Sequence, residues 1–209
     1  MEIMYRIDRN NFHRAPKTAT IYTPPGVSRF IYGIVHDKID RAKTVLDPCV
    51  GAGSLLAPFR ENGFNVAGID IEDQGFPGTA VRNYLEIQRG EIAPPALVVM
   101  NPPFNIDGKT KQYAKLHYGG RPLLPEVWLQ KTAELFSKHV PIVLFAPYGL
   151  RLNQTAASRR WQKFAAGQYP EISSIVSLPK DVFSGILFHS EILMFNICGA
   201  KPHYFYGAS

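Results

Sequence analysis

Apolar positions along the chain switch repeatedly between two periods, and the switch points mark its elements. Val27, Phe30, Ile31, Ile34 and Val35 recur at i, i+3, i+4, i+7 and i+8, the stripe of an amphipathic helix. Thr44-Val45-Leu46-Asp47 then reads as a short buried strand, and Leu55, Leu56 and Phe59 as one face of a following helix. Asn65–Asp70 predicts a second strand and Ala96–Met100 a third, whose Leu97-Val98-Val99-Met100 run is continuously apolar. A helix over Val127–Phe136, a strand over Pro141–Ala146 and a helix from about Asn153 to Ala166 follow. Ile172–Leu178, Glu191–Ile197 and a short His203–Tyr206 complete the set of strands. Unbroken apolar strands need cover on both faces, and helices alternate with them here. The expectation is an α/β fold: a mostly parallel seven-stranded sheet with helices on both faces. The last long strands are joined by the short Pro179–Gly185 stretch, which predicts an antiparallel edge hairpin.

Composition bounds the rest. With 209 residues, 45% hydrophobic and 19% charged, the chain has material for one sizeable core, and the whole of 1–209 reads as a single domain. Two cysteines, Cys49 and Cys198, are too few for a disulfide scaffold or a four-ligand zinc site, so no metal is expected. No apolar run approaches the roughly 18 residues that span a bilayer. The opening Met1-Glu2-Ile3-Met4-Tyr5-Arg6 lacks the apolar stretch of a secretion signal, so a cytoplasmic protein with no membrane partner is expected. The net charge of +6 is compatible with a polyanionic partner without requiring one. Proline is in excess, 17 of 209 residues, and six form the pairs Pro24-Pro25, Pro94-Pro95 and Pro102-Pro103.

Ligands of open α/β sheets bind beyond the carboxyl ends of the strands, and three such ends carry unusual residues. The first is Asp47-Pro48-Cys49-Val50-Gly51-Ala52-Gly53. Its glycines let the backbone approach a ligand, and an acidic strand end without a following lysine suits a cationic group rather than a phosphate. The second is Asp70, about 20 residues on, placed for a ribose diol. The third is Asn101-Pro102-Pro103-Phe104. There the Asn101 side-chain oxygen and the Pro102 carbonyl offer two acceptors to an exocyclic amino group, and Phe104 is placed to stack on the ring that bears it. Each segment taken alone is also compatible with a plain strand–helix turn. Cys49 needs no role beyond being small. Tyr148 and Arg151 follow a strand end and are placed to line the site, without an assigned role.

Asp-Pro-Cys-Val-Gly-Ala-Gly together with Asn-Pro-Pro-Phe resembles the S-adenosylmethionine-dependent DNA adenine-N6 methyltransferases. Tyr22-Thr23-Pro24-Pro25 is similar to the segment that contacts the methionine end of their cofactor. Pro147-Tyr148-Gly149-Leu150, Ile175–Pro179, Val182-Phe183 and Ser190–Leu193 resemble later parts of the catalytic domain in modification subunits of restriction systems. The resemblance implies a Rossmann-like class I methyltransferase fold with S-adenosylmethionine as cofactor. It also implies transfer of the methyl group to N6 of an adenine flipped out of DNA. Tyr22, Thr23, Pro24, Asp47, Pro48, Gly51, Gly53, Asp70, Ile71, Asn83 and Tyr84 would line the cofactor, with Asn83 standing where relatives often carry Asp. Asn101, Pro102, Pro103 and Phe104 would hold the base.

Residues 105–125 are expected to form a basic loop, with Lys109, Lys111, Lys115 and Arg121 interleaved with Tyr113, and to contact DNA. Arg159, Arg160 and Lys163, with Trp161 and Phe164, fit either a second phosphate-binding face or an amphipathic surface helix with solvated cations, and residues 1–20, with Arg6, Arg9, Arg14 and Lys17, either a basic arm or a frayed tail. No separate target-recognition domain is expected, so specificity is low or supplied by a specificity subunit or a second copy. Two other readings stay open: methylation of a protein glutamine amide, and a catalytically weak cofactor-binding interaction subunit.

Overall fold

Among the residues described by the computed structural model (23–103, 108–118, 123–152, 154–183 and 190–207, with the backbone alone at 108–111 and 114), eight strands form one sheet. They are β1 (Val45–Asp47), β2 (Val66–Asp70), β3 (Ala80–Val81), β4 (Leu97–Met100), β5 (Ile142–Pro147), β6 (Ile172–Ser177), β7 (Ser190–Phe195) and β8 (His203–Phe205). Their order is β3-β2-β1-β4-β5-β7-β6-β8. Every pairing is parallel except those of β7 with β5 and with β6, so β7 alone runs against the rest.

The period of two along each strand divides the core between the faces. Val45, Leu97, Val99, Val143, Phe145, Ile192 and Met194 share one cluster. It is covered by Val27, Ile31, Ile34 and Val35 of α1 (Pro25–Val35) and by Phe59 of α2 (Ala57–Glu61). Leu46, Val98, Met100, Ile142, Leu144, Leu193 and Phe195 form the opposite cluster. There Leu124, Val127, Trp128 and Leu129 of α4 (Leu124–Phe136) provide the cover. The expected α/β sandwich with helices on both faces is therefore present. No helix among the described residues is long and apolar enough to cross a membrane.

The structure corrects several details. The sheet has eight strands rather than seven, because the two-residue β3 is too short and too exposed to leave a hydrophobic period. The antiparallel pair β6–β7 is not the edge: β7 inserts between β5 and β6, and β8 pairs outside β6 in parallel. The expected loop 105–125 contains a helix, α3 (Gly108–Tyr118). It docks through two aromatics: Tyr113 donates its hydroxyl to the Leu85 carbonyl at 3.0 Å, and Tyr118 donates to Glu134 at 3.3 Å. The helix expected from Asn153 is shorter, α5 (Arg159–Ala165), because Ser158 caps it by accepting the Trp161 N–H. Residues 1–20, Tyr22, Phe104 and Arg121, and the side chains of Lys109 and Lys111, lie outside what is described.

Candidate active site

Three parallel strands, β2, β1 and β4, end side by side, and their register brings the three motifs to one level. Asp47 pairs with Gly68, and Leu46 with Val98. Beyond Asp47 the chain turns, with the Cys49 N–H folding back to Asp47 and the Val50 N–H reaching the Ile69 carbonyl at 3.0 Å, so the glycine turn stays tied to the end of β2. The Asn101 backbone hydrogen-bonds Cys49, which confirms that the two ends meet. Burial pushes the Cys49 thiol well above its ordinary range, with the Asp47 charge adding to the effect, so it remains a neutral thiol.

Asp47 is the most unusual group at this edge. It is 1% exposed, and among the described residues its partners are both on Cys49, the backbone N–H at 3.0 Å from Oδ1 and the thiol. Burial raises its pKa from 3.8 to about 7, the nearby Asp70 charge pushes the same way, and the Cys49 bonds oppose. A carboxylate left this short of partners lacks a cation or a donor. Asp70 is better supplied, taking the Gly51 N–H at 2.8 Å and the Glu72 N–H at 3.3 Å. It thereby ties the glycine loop to the end of β2. Gly51 (φ 51°) and Gly53 (φ 85°) both lie in the left-handed region. A Cβ on Gly53 would stand 2.0 Å from the Phe76 ring, so this turn closes only without a side chain. Beside Asp70, Ile71 is 69% exposed, an apolar surface standing at the ligand-binding edge.

At the end of β4, the Asn101 Nδ2 donates to the Thr23 Oγ1 at 3.2 Å. Thr23 is buried just ahead of α1, which starts there because Pro24 is extended (ψ 140°) and Pro25 occupies the first helical turn. This bond commits the amide NH2 and leaves the Asn101 oxygen as an acceptor without a partner among the described residues. Pro102 is buried and Pro103 exposed. A cleft of about 290 Å³, lined by Pro25, Ala52, Gly53, Arg60 and Phe76, opens behind the glycine loop, yet includes none of Asp47, Asp70 or Asn101.

Other expected site residues are engaged elsewhere. Tyr84 is a core side chain, 2% exposed, bonded through its hydroxyl to Thr132 of α4 at 2.9 Å. The Asn83 oxygen accepts the Leu85 N–H and its NH2 donates to Glu86, so the amide caps a short 3-10 turn. Tyr113 spends its hydroxyl on docking α3, and its ring is stacked by His117 at 3.9 Å. Lys115 is exposed on the same helix. The second phosphate face is also redirected: Arg160 is bonded to buried Glu126 at 2.7 Å, Lys163 sits over the Tyr169 ring, and Phe164 packs edge-on against Tyr169. Only Arg159 and Trp161 of that group remain outward.

Arg151 was legible as a residue after a strand end, but its partner at this edge left no trace in the sequence. Arg151, just beyond β5, makes a two-point contact with Glu191 at the start of β7, Nε to Oε1 at 3.1 Å and Nη2 to Oε2 at 2.7 Å. The Glu191 side chain is 2% exposed and that of Arg151 31%. Their separation of 40 positions, with no shared pattern, hides the pair until the chain folds.

An open, mostly parallel sheet with one reversed strand and a glycine turn after β1 is the fold of the class I methyltransferases. Residues 5–78 match the family model described as N-6 DNA Methylase, which bears out the resemblance seen in the motifs. That match takes in Thr23, the glycine loop and Asp70, and ends before Asn101. No curated protein matches the chain. Among solved structures, the chain is similar to a modification subunit of a putative type I restriction enzyme from Vibrio vulnificus YJ016. The TM-score is 0.66 at 17% identity, over 94% of this chain and 49% of that one. It is also similar to a putative class I S-adenosylmethionine-dependent methyltransferase from Listeria monocytogenes (TM-score 0.64, 14% identity, 93% and 69% covered). A third is a type I restriction-modification methyltransferase subunit from Streptococcus thermophilus (TM-score 0.60, 16% identity, 88% and 47% covered). The chain thus spans about half the length of the modification subunits it resembles.

Proposed function

We propose that this protein transfers a methyl group from S-adenosylmethionine to the N6 amino group of adenine in DNA. The observation that carries the reading is the bond from the Asn101 NH2 to Thr23. It commits the amide NH2 and leaves the Asn101 oxygen as an acceptor without a partner among the described residues, at the sheet edge where β1 and β2 also end at Asp47 and Asp70.

The residues present fit the cofactor. Asp47, buried and short of partners, suits a cationic amine, and such a partner would pull its raised pKa back down. Asp70 has lone pairs left for ribose hydroxyls beyond its two backbone bonds. Thr23, Pro24, Pro48, Gly51, Gly53 and exposed Ile71 complete the lining. Bound there, S-adenosylmethionine supplies a methyl group already activated on a sulfonium sulfur. The chain's own work is then orientation rather than strong base catalysis. The Asn101 oxygen and the Pro102 carbonyl accept the two amino protons of adenine, which draws its nitrogen lone pair out of the ring and aims it at the methyl group. The proton released after transfer passes to water. Exposed Lys115 on α3 is a source of positive charge for the DNA backbone.

The similarity to modification subunits also favours sequence specificity supplied by a separate subunit. Incubating the protein with unmethylated DNA and methyl-labelled cofactor, then digesting to nucleosides, tests the reading. Label in N6-methyladenosine supports it. Label in protein alone would favour glutamine methylation, and cofactor binding without transfer would favour an interaction subunit.

A further inference from the structure

The strand order places the Arg151–Glu191 pair at the same edge of the sheet as the acceptor motif, on the adjoining strands. β4 and β5 are parallel neighbours with Met100 opposite Leu144, so Asn101-Pro102-Pro103 and the end of β5 at Pro147 leave the same edge of the sheet on adjacent strands. Arg151 closes the single 3-10 turn Tyr148–Leu150 that follows. Glu191 is reached from the other side, because β7 runs antiparallel to β5 and pairs Ser190 with Pro147 and Glu191 with Ala146. The Nε and Nη2 of Arg151 are both committed to Glu191, while Nη1 has no partner among the described residues, on a side chain 31% exposed.

The charge balance of this pair decides what it suits. A free arginine here would repel a sulfonium and the positive charge that grows on an attacking amine. With Glu191 buried against it, the guanidinium is neutralised, so it is a weak partner for a phosphate. What remains is a rigid two-proton donor carrying no net charge, which suits a neutral acceptor in a planar ring. An adenine whose amino protons are taken by Asn101 and Pro102 has such acceptors on either side of that amino group, at N1 and N7.

We infer that Arg151 is a base-specificity residue, donating from Nη1 to a ring nitrogen flanking the amino group of the target adenine, and that Glu191 is its positioning residue. This inference rests on the adenine-methylation reading above. Donation to N7 would also let the site reject cytosine, which has no ring nitrogen on that side of its amino group, whereas donation to N1 would not.

The test pairs protein variants with duplexes in which the target adenine is replaced by 1-deazaadenine or 7-deazaadenine. For the unmodified protein, kcat/KM should fall about 10–100-fold with one of the two analogues, the cost of a lost charge-assisted hydrogen bond. Arg151→Met combined with Glu191→Gln removes both charges together, which avoids stranding a buried carboxylate and keeps the fold. This double variant should transfer to adenine at the reduced rate and lose its discrimination against that analogue. Its cofactor binding should be unchanged. Glu191→Gln alone, which loosens the fork but leaves the guanidinium, should give intermediate discrimination. Two results would overturn the inference: a double variant as sensitive to the analogue as the unmodified protein, or a uniform loss of DNA affinity with a shallower salt dependence, which marks a phosphate contact. Failure of the unmodified protein to methylate adenine at all would instead overturn the underlying reading.

Discussion

Asp47→Asn separates the binding role of the buried carboxyl from its burden on the fold. Asp47 is 1% exposed, and its pKa is raised from 3.8 to about 7. Below pH 3.8 the carboxyl is neutral in both folded and unfolded chains. Between 3.8 and about 7 the unfolded chain ionises while the folded one stays protonated, so stability falls by about 1.4 kcal/mol per pH unit. Above about 7 both forms are ionised and the loss is constant. The rise of roughly 3 units therefore corresponds to about 4 kcal/mol at pH 8. Asn is isosteric, carries no charge and still accepts the Cys49 N–H. Its advantage over Asp should grow from near zero at pH 4 to about 4 kcal/mol at pH 8, or roughly 10 °C in Tm for a chain of this size. Urea denaturation of the ligand-free proteins at pH 4.5 and pH 8 measures it. The same substitution should weaken S-adenosylmethionine binding about 10–100-fold at pH 8, and that loss should shrink as pH falls through 7. A variant no more stable than the parent at pH 8, or an advantage that does not depend on pH, would refute the reasoning.

Asn101→Ala should lower methyl transfer at least 100-fold while leaving cofactor affinity within a few-fold, because it removes an acceptor for the base and only a tether to Thr23; calorimetry and turnover on the same sample check both halves. Gly53→Ala should destabilise by about 2–3 kcal/mol in urea titration, since the new Cβ meets the Phe76 ring at 2.0 Å and the backbone φ is 85°. Arg160→Met should cost about 3 kcal/mol, because Glu126, 5% exposed, loses its charge partner and keeps only Tyr169, Leu123 and Gln130. DNA affinity in that variant should change little if Arg160 is structural, which filter binding at two salt concentrations would show.

The Glu126 network shows why the sequence leaves the use of part of the basic surface open. Arg159, Arg160 and Lys163 look alike along the chain, and only folding reveals that Arg160 closes onto Glu126 and Lys163 onto Tyr169. Tyr113 was legible as an aromatic beside lysines, yet its hydroxyl serves α3 docking on the Leu85 carbonyl. A single charge or ring has many uses, and its neighbours in space choose among them. Tyr84 and Asn83 illustrate the same point, one drawn into the core by its apolar ring and the other held by a local cap.

The sequence by itself determined the α/β class, the strands β1, β2, β4, β5, β6, β7 and β8, and the three acidic or amide strand ends. These follow from local chemistry: apolar runs long enough to need burial on both faces, and residues such as glycine and proline whose backbone preferences travel with them. Tertiary structure alone decided the place of β7, the pairing of β8 outside β6, the helix within 105–125 and the Arg151–Glu191 contact. Those depend on partners tens of residues apart, where the gain from a contact exists only once the chain has closed the loop between them. The burial that lifts Asp47 to a pKa near 7 belongs to the same group, since a carboxyl carries no sign in the sequence of how much water it will lose.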